Sequence, residues 1–160
     1  SSRLVKYANG TWSRTYRDGS IAYFNSLGNQ ISITDRIGRS ISYSYNAQNL
    51  LTSIVNNVTN QTTTLSYNGS NKLSEIKDPA NRITQFSYSG NNLTRVEFPD
   101  GTVKRFEYDN FGLMTEQTNE RNVKTEYVYN DYWRISKIKH ADGTEIETQD
   151  SFSKTANNTD

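Results

Sequence analysis

Aromatic residues recur along the chain at a nearly constant interval, and similar polar and apolar residues surround each of them. Six such anchors follow one another at steps of 20 to 22 residues: Phe24, Tyr45, Tyr67, Tyr88, Tyr108 and Tyr129. Five of the six are preceded by a large apolar residue two positions earlier, which is the spacing of side chains on one face of a β-strand. Around Tyr45 the alternation is clear, because Ile41 and Tyr43 share its face while serines fill the other face. The pattern predicts a half-buried strand at each anchor.

A tight turn is predicted after each anchor. Four residues on, five of the six repeats have a residue type that tolerates positive φ, and the sixth has tryptophan: Gly28, Asn49, Asn71, Asn92, Gly112 and Trp133. An apolar residue then marks a returning strand, and a second polar corner leads to the next anchor. Each unit therefore predicts one β-hairpin, and a sustained period near 21 residues predicts a repeat architecture.

The returning strands show a less regular pattern. Their apolar residues are three apart, as in Leu51 with Ile54 and Ile135 with Ile138. A spacing of three cannot lie on one face of a regular strand. Two explanations remain open: a β-bulge, or a first apolar residue that sits in the turn rather than in the strand ladder.

We therefore predict an all-β fold, in which tandem β-hairpin repeats of about 21 residues form an open, twisted antiparallel sheet. Residues 1–17 are expected to be a degraded N-terminal hairpin or cap. Residues 18–147 hold the repeats, and residues 148–160 have the composition of a disordered tail. Such a strip leaves unpaired strand edges, so we expect edge-to-edge self-association.

Composition narrows the function classes. The chain has 160 residues, 32% of them hydrophobic, so its core is expected to be thin. A net charge of +1 with mixed signs gives no electrostatic footprint for nucleic acid. No apolar run has the length of a membrane span, so membrane insertion is not expected. The absence of cysteine excludes disulfides and thiolate chemistry.

No catalytic, metal or cofactor site is predicted. The single histidine, His140, lies in a polar corner without a serine elbow, and no carboxylate loop for calcium is present. Tyr132 and Trp133 occupy a turn that is polar in other repeats, so they are candidate contacts for a glycan or a partner protein. Trp12 and Tyr16 are further aromatic candidates for stacking on a sugar.

Two stretches resemble the YD repeat of the RHS family: YDNFGLMTEQTNERNVKTEYVYND, residues 108–131, and DRIGRSISYSYNAQNLLTSI, residues 35–54. That repeat has the pattern Tyr-x-Tyr-Asp, two residues, glycine and an apolar residue. The Tyr-Asp dipeptide occurs at Tyr108, whereas asparagine follows Tyr45, Tyr67 and Tyr129. The resemblance extends from residue 18 to about residue 147.

This resemblance implies a β-strip that spirals into a hollow shell, as in bacterial polymorphic toxins, insecticidal toxin complexes and teneurins. The expected function is then structural and non-enzymatic, namely to scaffold or enclose an effector polypeptide. Its partners would be the effector or other segments of a larger protein. That protein would be secreted or cell-surface-associated, and cytoplasmic before export. The alternative is a cell-surface module that binds carbohydrate or protein through exposed aromatics.

Overall fold

The computed structural model describes residues 2–148, and every regular element in this range is a β-strand. The all-β prediction is therefore confirmed. Fifteen strands follow one another, β1 to β15 in chain order: Arg3–Lys6, Trp12–Thr15, Ile21–Phe24, Gln30–Thr34, Ser40–Tyr45, Leu51–Asn56, Gln61–Tyr67, Leu73–Lys77, Ile83–Ser89, Asn92–Glu97, Val103–Tyr108, Met114–Thr118, Lys124–Tyr129, Ile135–His140 and Glu145–Glu147. In this described range no helix is long and apolar enough to cross a membrane.

The strands pair in the order of the chain. The ladder starts at β1 and ends at β15, so the sheet is open, and the resolved pairings are antiparallel. The predicted open sheet of tandem hairpins is confirmed. By compactness the chain divides after Gln85, within β9, into two units. The expected boundaries at residues 17 and 147 stay a prediction, and residues 149–160 of the expected tail lie outside the described residues.

One turn type recurs between the strands. In the turn Asn46–Asn49, the N–H of Asn49 donates to the carbonyl of Asn46 at 3.0 Å, and Asn49 has φ 66°. This is a type I turn followed by a left-handed residue, a common hairpin connection. Gly28 and Gly112 hold the left-handed position of their turns at φ 87° and 83°.

The residue that follows the anchor fixes this turn with its side chain. Asp109 Oδ1 accepts the backbone N–H groups of Phe111 and Leu113, both at 2.9 Å. The asparagines that replace this aspartate accept the equivalent pair of N–H groups: Asn25, Asn46, Asn68 and Asn130. Asparagine and aspartate present the same side-chain oxygen. This explains why either residue can follow the aromatic anchor.

A bulge resolves the spacing of the returning strands. Tyr45 pairs with Leu51 while Ser44 pairs with Ser53, so Thr52 is an extra residue on the returning strand. The extra residue shifts the alternation, and Ile54 then pairs with Tyr43 on the face that carries Tyr45 and Leu51. Equivalent register shifts occur in the hairpins of Phe24, Tyr67, Tyr108 and Tyr129. Of the two explanations left open, the bulge is the correct one.

The hairpin of Tyr88 departs from this turn type. Its connection is only two residues long, and its positive φ, 55°, falls on Gly90. The expectation of a left-handed turn residue at Asn92 is wrong, because Asn92 already begins β10. The shorter connection also accounts for the 20-residue step from Tyr88 to Tyr108, the shortest in the series.

Very few side chains are buried. Ala22 in the first unit and Val96 in the second are the buried hydrophobic residues of the described chain, at 0% and 8% exposure. No large side chain in residues 2–148 is fully buried. The anchors themselves are half-buried, because each is covered only by its neighbours in the same sheet. Neither unit therefore contains a two-sided hydrophobic core.

Candidate functional site

In each unit, one face of the sheet carries cross-strand pairs of apolar side chains. In the first unit these pairs are Ile33 with Ile41, Tyr43 with Ile54, and Leu65 with Ile76. In the second unit they are Tyr108 with Met114, Tyr127 with Ile138, and Ile138 with Ile146. We call each of these the apolar face of its unit. Contacts between directly opposed side chains stabilise the sheet, but they leave the outer surface of these residues uncovered.

Three anchor tyrosines link consecutive hairpins through their hydroxyl groups. The acceptor is in each case a backbone carbonyl of the preceding hairpin: Tyr45 donates to Gln30 at 2.8 Å, Tyr67 to Leu51 at 2.7 Å and Tyr129 to Met114 at 2.8 Å. Each acceptor residue lies opposite the preceding anchor, immediately before the extra residue of the bulge. The bulge interrupts the ladder there, and the next tyrosine supplies a donor at that point.

Partial burial affects three of the anchor phenols. Desolvation raises the pKa of Tyr45, Tyr108 and Tyr129 above the ordinary value of 10.0. Tyr108 follows the hairpin with the short connection, and within residues 2–148 its hydroxyl makes no hydrogen bond. All six anchors are therefore aromatic, and the hydroxyls of Tyr45, Tyr67 and Tyr129 bind a carbonyl of the preceding hairpin whereas that of Tyr108 does not.

The extra residue of the bulge forms a second recurring contact. The extra residues Thr52 and Ser136 donate their hydroxyls to the carbonyls of Ser44 and Val128, each at 3.2 Å. In the hairpin of Tyr88, Thr94 donates its hydroxyl to the carbonyl of Ser87 at the same distance. The acceptor always precedes an anchor. A hydroxyl residue at this position therefore ties the bulge back to the first strand of its own hairpin.

In each unit, the face that does not carry the apolar pairs is polar, and the kind of polar residue differs between the two units. In the first unit this face is rich in hydroxyl side chains, such as Ser32 opposite Ser42 and Ser53 opposite Thr64. In the second unit it is charged, and Glu116 lies directly opposite both Glu107 and Glu126.

One lysine offsets the repulsion within this row of glutamates. Lys124 Nζ lies 2.8 Å from a carboxylate oxygen of Glu116, and this contact raises the pKa of Lys124. The Lys124 side chain is exposed whereas that of Glu116 is mostly covered, so solvent screens the ion pair from the lysine side and its net contribution to stability is modest. Among the residues that the structure describes, no group of three or more acidic, histidine or cysteine side chains could hold a metal ion.

Three aromatic side chains project from two neighbouring turns of the second unit. Phe111, Tyr132 and Trp133 are 76%, 74% and 54% exposed. The rings of Phe111 and Trp133 meet edge to face, with centroids 4.7 Å apart at 74°. We call these three residues the aromatic tip. Phe111 was not singled out from the sequence, because its contact with Trp133 joins turns that are 22 residues apart.

Trp133 has an unusual backbone conformation. Its φ is 63°, in the left-handed region that glycine or asparagine occupies in the turns of Phe24, Tyr45, Tyr67 and Tyr108. A bulky residue is rare at positive φ, and such strain concentrates at functional positions. The tryptophan therefore keeps the turn geometry of the repeat at a conformational cost.

The other candidates lie apart from the aromatic tip in sequence. Lys6 Nζ lies 4.9 Å from the ring centre of Trp12, and the Arg14 guanidinium lies 4.8 Å from that of Tyr16. Both rings thus carry a cation on one face. His140 is exposed, and its carbonyl accepts the N–H of Gly143 in a turn.

Comparison with protein families identifies the chain. The family model described as the teneurin YD-shell matches residues 15–118. The chain belongs to this family, which confirms the resemblance to the YD repeat. A comparison with curated proteins finds no match.

Solved structures that share the fold include a Tc holotoxin and TcdB2-TccC3 assemblies. A Photorhabdus luminescens Tc holotoxin pore structure is 14% identical, with a TM-score of 0.64, and the match covers 86% of this chain and 9% of that chain. The crystal structure of TcdB2-TccC3 gives the same identity, TM-score and coverage. A TcdB2-TccC3-Cdc42 structure is 16% identical with a TM-score of 0.57, covering 79% of this chain and 7% of the other. The chain thus spans less than a tenth of the length of these relatives.

Proposed function

We propose that this chain is a non-enzymatic structural segment of a larger YD-repeat protein, in which it forms part of a shell around an effector polypeptide. The observation that carries the proposal is the uncovered apolar face of each unit. A single sheet without a second layer buries little apolar area by itself, so its stability increases when another polypeptide covers that face. Tc toxins, whose solved chains share the fold, and the YD-shell family match support the assignment.

The shell proposal assigns different surroundings to the two faces of the sheet. Leu65 pairs with Ile76 on the apolar face, whereas its neighbour Ser66 points the opposite way and pairs with Glu75. If the enclosed polypeptide covers the apolar face, it contacts Leu65 and not Ser66. These adjacent positions therefore form a matched pair for a cross-linking experiment.

The experiment uses the full-length protein that contains this segment, with a photo-reactive benzophenone amino acid at position 65 or at position 66. Mass spectrometry then identifies the cross-linked peptides. We expect the residue at position 65 to cross-link to a polypeptide outside the YD repeats, and the residue at position 66 to give no such product. Equal products from both positions, or none from position 65, would contradict enclosure by the apolar face.

A second candidate function rests on the aromatic tip. Exposed tyrosine and tryptophan side chains are typical anchors in recognition surfaces, and Tyr132 and Trp133 are both exposed. In this alternative the chain is a cell-surface module that binds a glycan or a partner protein. A glycan array combined with tryptophan fluorescence tests it, since binding at Trp133 changes the emission. A fluorescence response that is retained in Trp133→Gly would exclude the tip as the site.

The proposed location follows from the shell function. A bacterial shell protein that delivers an effector is made in the cytoplasm and then secreted or displayed at the cell surface. Fractionation of cells that express the full-length protein tests this location. Recovery of the protein only inside the cell, under conditions where a secreted marker is exported, would contradict it.

A further inference from the structure

Several turns of the described chain contain an asparagine or aspartate directly followed by glycine. In this dipeptide the backbone nitrogen of the glycine can attack the side-chain carbonyl carbon of the preceding residue, because glycine has no side chain to obstruct the approach. The dipeptide occurs at Asn9–Gly10, Asp18–Gly19, Asn68–Gly69, Asp100–Gly101 and Asp142–Gly143. The nitrogen must lose its proton before it attacks, so the hydrogen bonding of the glycine N–H decides which of these turns can react.

Four of the five turns already use the glycine N–H. In these turns the glycine has a positive φ, and its N–H donates to the carbonyl three residues earlier: Gly10 to Tyr7 at 3.0 Å, Gly19 to Tyr16 at 3.2 Å, Gly101 to Phe98 at 2.9 Å and Gly143 to His140 at 3.0 Å. This hydrogen bond must break before the nitrogen can react, so the fold protects these four dipeptides.

The dipeptide Asn68–Gly69 lies one step earlier in its turn. Asn68 is the first residue of the turn, and the N–H of Asn71 donates to its carbonyl at 2.9 Å. Gly69 is then a central residue, whose N–H takes no part in the turn hydrogen bond. Within residues 2–148 the Gly69 N–H has no acceptor. Both residues of the dipeptide are exposed, and the space beside the Gly69 Cα is open, so water reaches this nitrogen freely.

The carbon under attack is activated by two hydrogen bonds to its oxygen. Asn68 Oδ1 accepts the backbone N–H groups of Ser70 and Lys72, both at 3.0 Å. Attack at Cγ places negative charge on Oδ1, and fixed backbone donors stabilise charge that develops on such an oxygen. Asn9 Oδ1 likewise accepts the N–H and the hydroxyl of Thr11. The two asparagine–glycine sites therefore differ mainly in their glycine nitrogens.

We propose that Asn68 is a site of spontaneous modification, at which the Gly69 nitrogen displaces the side-chain amide as ammonia. Hydroxide removes the N–H proton, the nitrogen bonds to Cγ, and the bond from Cγ to Nδ2 breaks as the leaving nitrogen takes a proton from water. The result is a cyclic imide. Water then opens the imide at one of its two carbonyls, which gives aspartate or isoaspartate at position 68. In the net reaction one water is consumed and one ammonia is released.

The aspartate product fits the existing turn. Asp109 holds the same position in its repeat and accepts two backbone N–H groups through one carboxylate oxygen. An aspartate at position 68 presents the same oxygen as the asparagine that it replaces. Isoaspartate instead adds a carbon to the main chain, which lengthens the turn and withdraws the side-chain oxygen from it. The turn after Tyr67 therefore survives the first product and is disrupted by the second.

Peptide mapping by mass spectrometry tests the proposal, with Asn9 as a control in the same molecule. The folded chain is incubated in mildly alkaline buffer, and conversion of amide to acid is followed at both positions. We expect Asn68 to react at least about tenfold faster than Asn9, the factor that corresponds to breaking one backbone hydrogen bond. In the chain unfolded in urea, the two sites should react at similar rates, because a hydroxyl residue follows the glycine in both.

Gly69→Ala is the matched variant. It keeps the N–H and adds one methyl group, which hinders the attack but meets open space at a φ outside the left-handed region. Circular dichroism establishes that the variant keeps the β-sheet. We expect severalfold slower conversion at Asn68 and an unchanged rate at Asn9. Labelling with an isoaspartyl methyltransferase separates isoaspartate from aspartate at position 68.

Three results would overturn the proposal. A rate at Asn68 no higher than that at Asn9 in the folded chain would mean that both sites react only through unfolded molecules. Conversion of Asn68 that begins only in urea would mean that the turn holds the side chain away from the nitrogen. An unchanged rate at Asn68 in Gly69→Ala would exclude attack by this nitrogen.

Discussion

The hydroxyl of Tyr67 provides the most selective perturbation of the repeat. It donates to the carbonyl of Leu51 at 2.7 Å, across the join between two hairpins. Replacement by phenylalanine keeps the ring and removes only this donor. A net hydrogen bond contributes about 0.5–1.5 kcal/mol, and the half-buried carbonyl can regain part of this from water, so we expect a loss of about 1 kcal/mol.

The matched control is Tyr108→Phe. Tyr108 occupies the same position in its repeat, but within the described chain its hydroxyl has no hydrogen-bond partner. We expect its replacement to change the free energy of unfolding by less than about 0.5 kcal/mol. Tyr45→Phe and Tyr129→Phe should instead behave like Tyr67→Phe, because their hydroxyls bind equivalent carbonyls.

Urea titrations followed by circular dichroism measure the effect. With a slope of about 1–3 kcal/mol per molar urea, a loss of 1 kcal/mol lowers the midpoint by roughly 0.3–1 M. Equal midpoints for Tyr67→Phe and Tyr108→Phe would show that the Tyr67 hydrogen bond does not stabilise the sheet, since the variants differ in whether the lost hydroxyl had a partner.

Three further predictions concern the turns and the ionisable groups. Gly112→Val should cost about 1–3 kcal/mol because of its φ of 83°, whereas Gly69→Ala, outside the positive-φ region and with open space at its Cβ, should be tolerated in the same urea assay. The pKa values of three turn aspartates lie below 3.8 because a following serine or threonine donates hydrogen bonds to the carboxylate: Asp18, Asp100 and Asp142. The stability that these contacts contribute is therefore present above pH 3.8 and lost as the pH falls through the lowered pKa values. Asparagine can replace the aspartate in this turn, since Asn9 makes the equivalent contacts with Thr11. The urea midpoint of Asp100→Asn should therefore depend less on pH in the acid range than that of the native chain. An unchanged pH dependence would contradict this prediction. Burial raises the pKa of Tyr45, Tyr108 and Tyr129, so their contribution to stability is present below about pH 10 and lost as the pH rises through the raised pKa values. Tyrosinate absorbance should show phenols that ionise above pH 10.0. Ionisation of all eleven tyrosines at the ordinary pKa would contradict this prediction.

Much of this architecture could be predicted from residue types alone. The alternation of Ile41, Tyr43 and Tyr45 specifies a strand with one apolar face, because side chains alternate in every extended strand. The recurrence of this strand and its turn every 20 to 22 residues predicts the hairpin repeat. The bulge could not be chosen in advance, since a spacing of three between Leu51 and Ile54 has two physical solutions that only the pairing register distinguishes.

The sequence pattern does not predict contacts to backbone atoms or rare backbone conformations. The tyrosine hydroxyls bind carbonyl oxygens, which every residue carries, so Gln30 and Leu51 show no compositional signal. Counting four residues from Tyr88 places Asn92 in the turn, but the two-residue connection moves the positive φ to Gly90. Trp133 adopts a conformation that its residue type disfavours, and only the structure shows it.

The bulge is the central feature of each repeat, because it places the apolar residues on one face and positions the carbonyl for the next tyrosine. The chain has no cysteine, so engineered cysteine pairs report the register without interference. The bulged register pairs Ser42 with Val55 and turns Ile54 to the opposite face, toward its partner Tyr43. A regular hairpin would instead pair position 42 with position 54. We expect Ser42→Cys/Val55→Cys to form a disulfide on mild oxidation and Ser42→Cys/Ile54→Cys to stay reduced. The reverse result would contradict it.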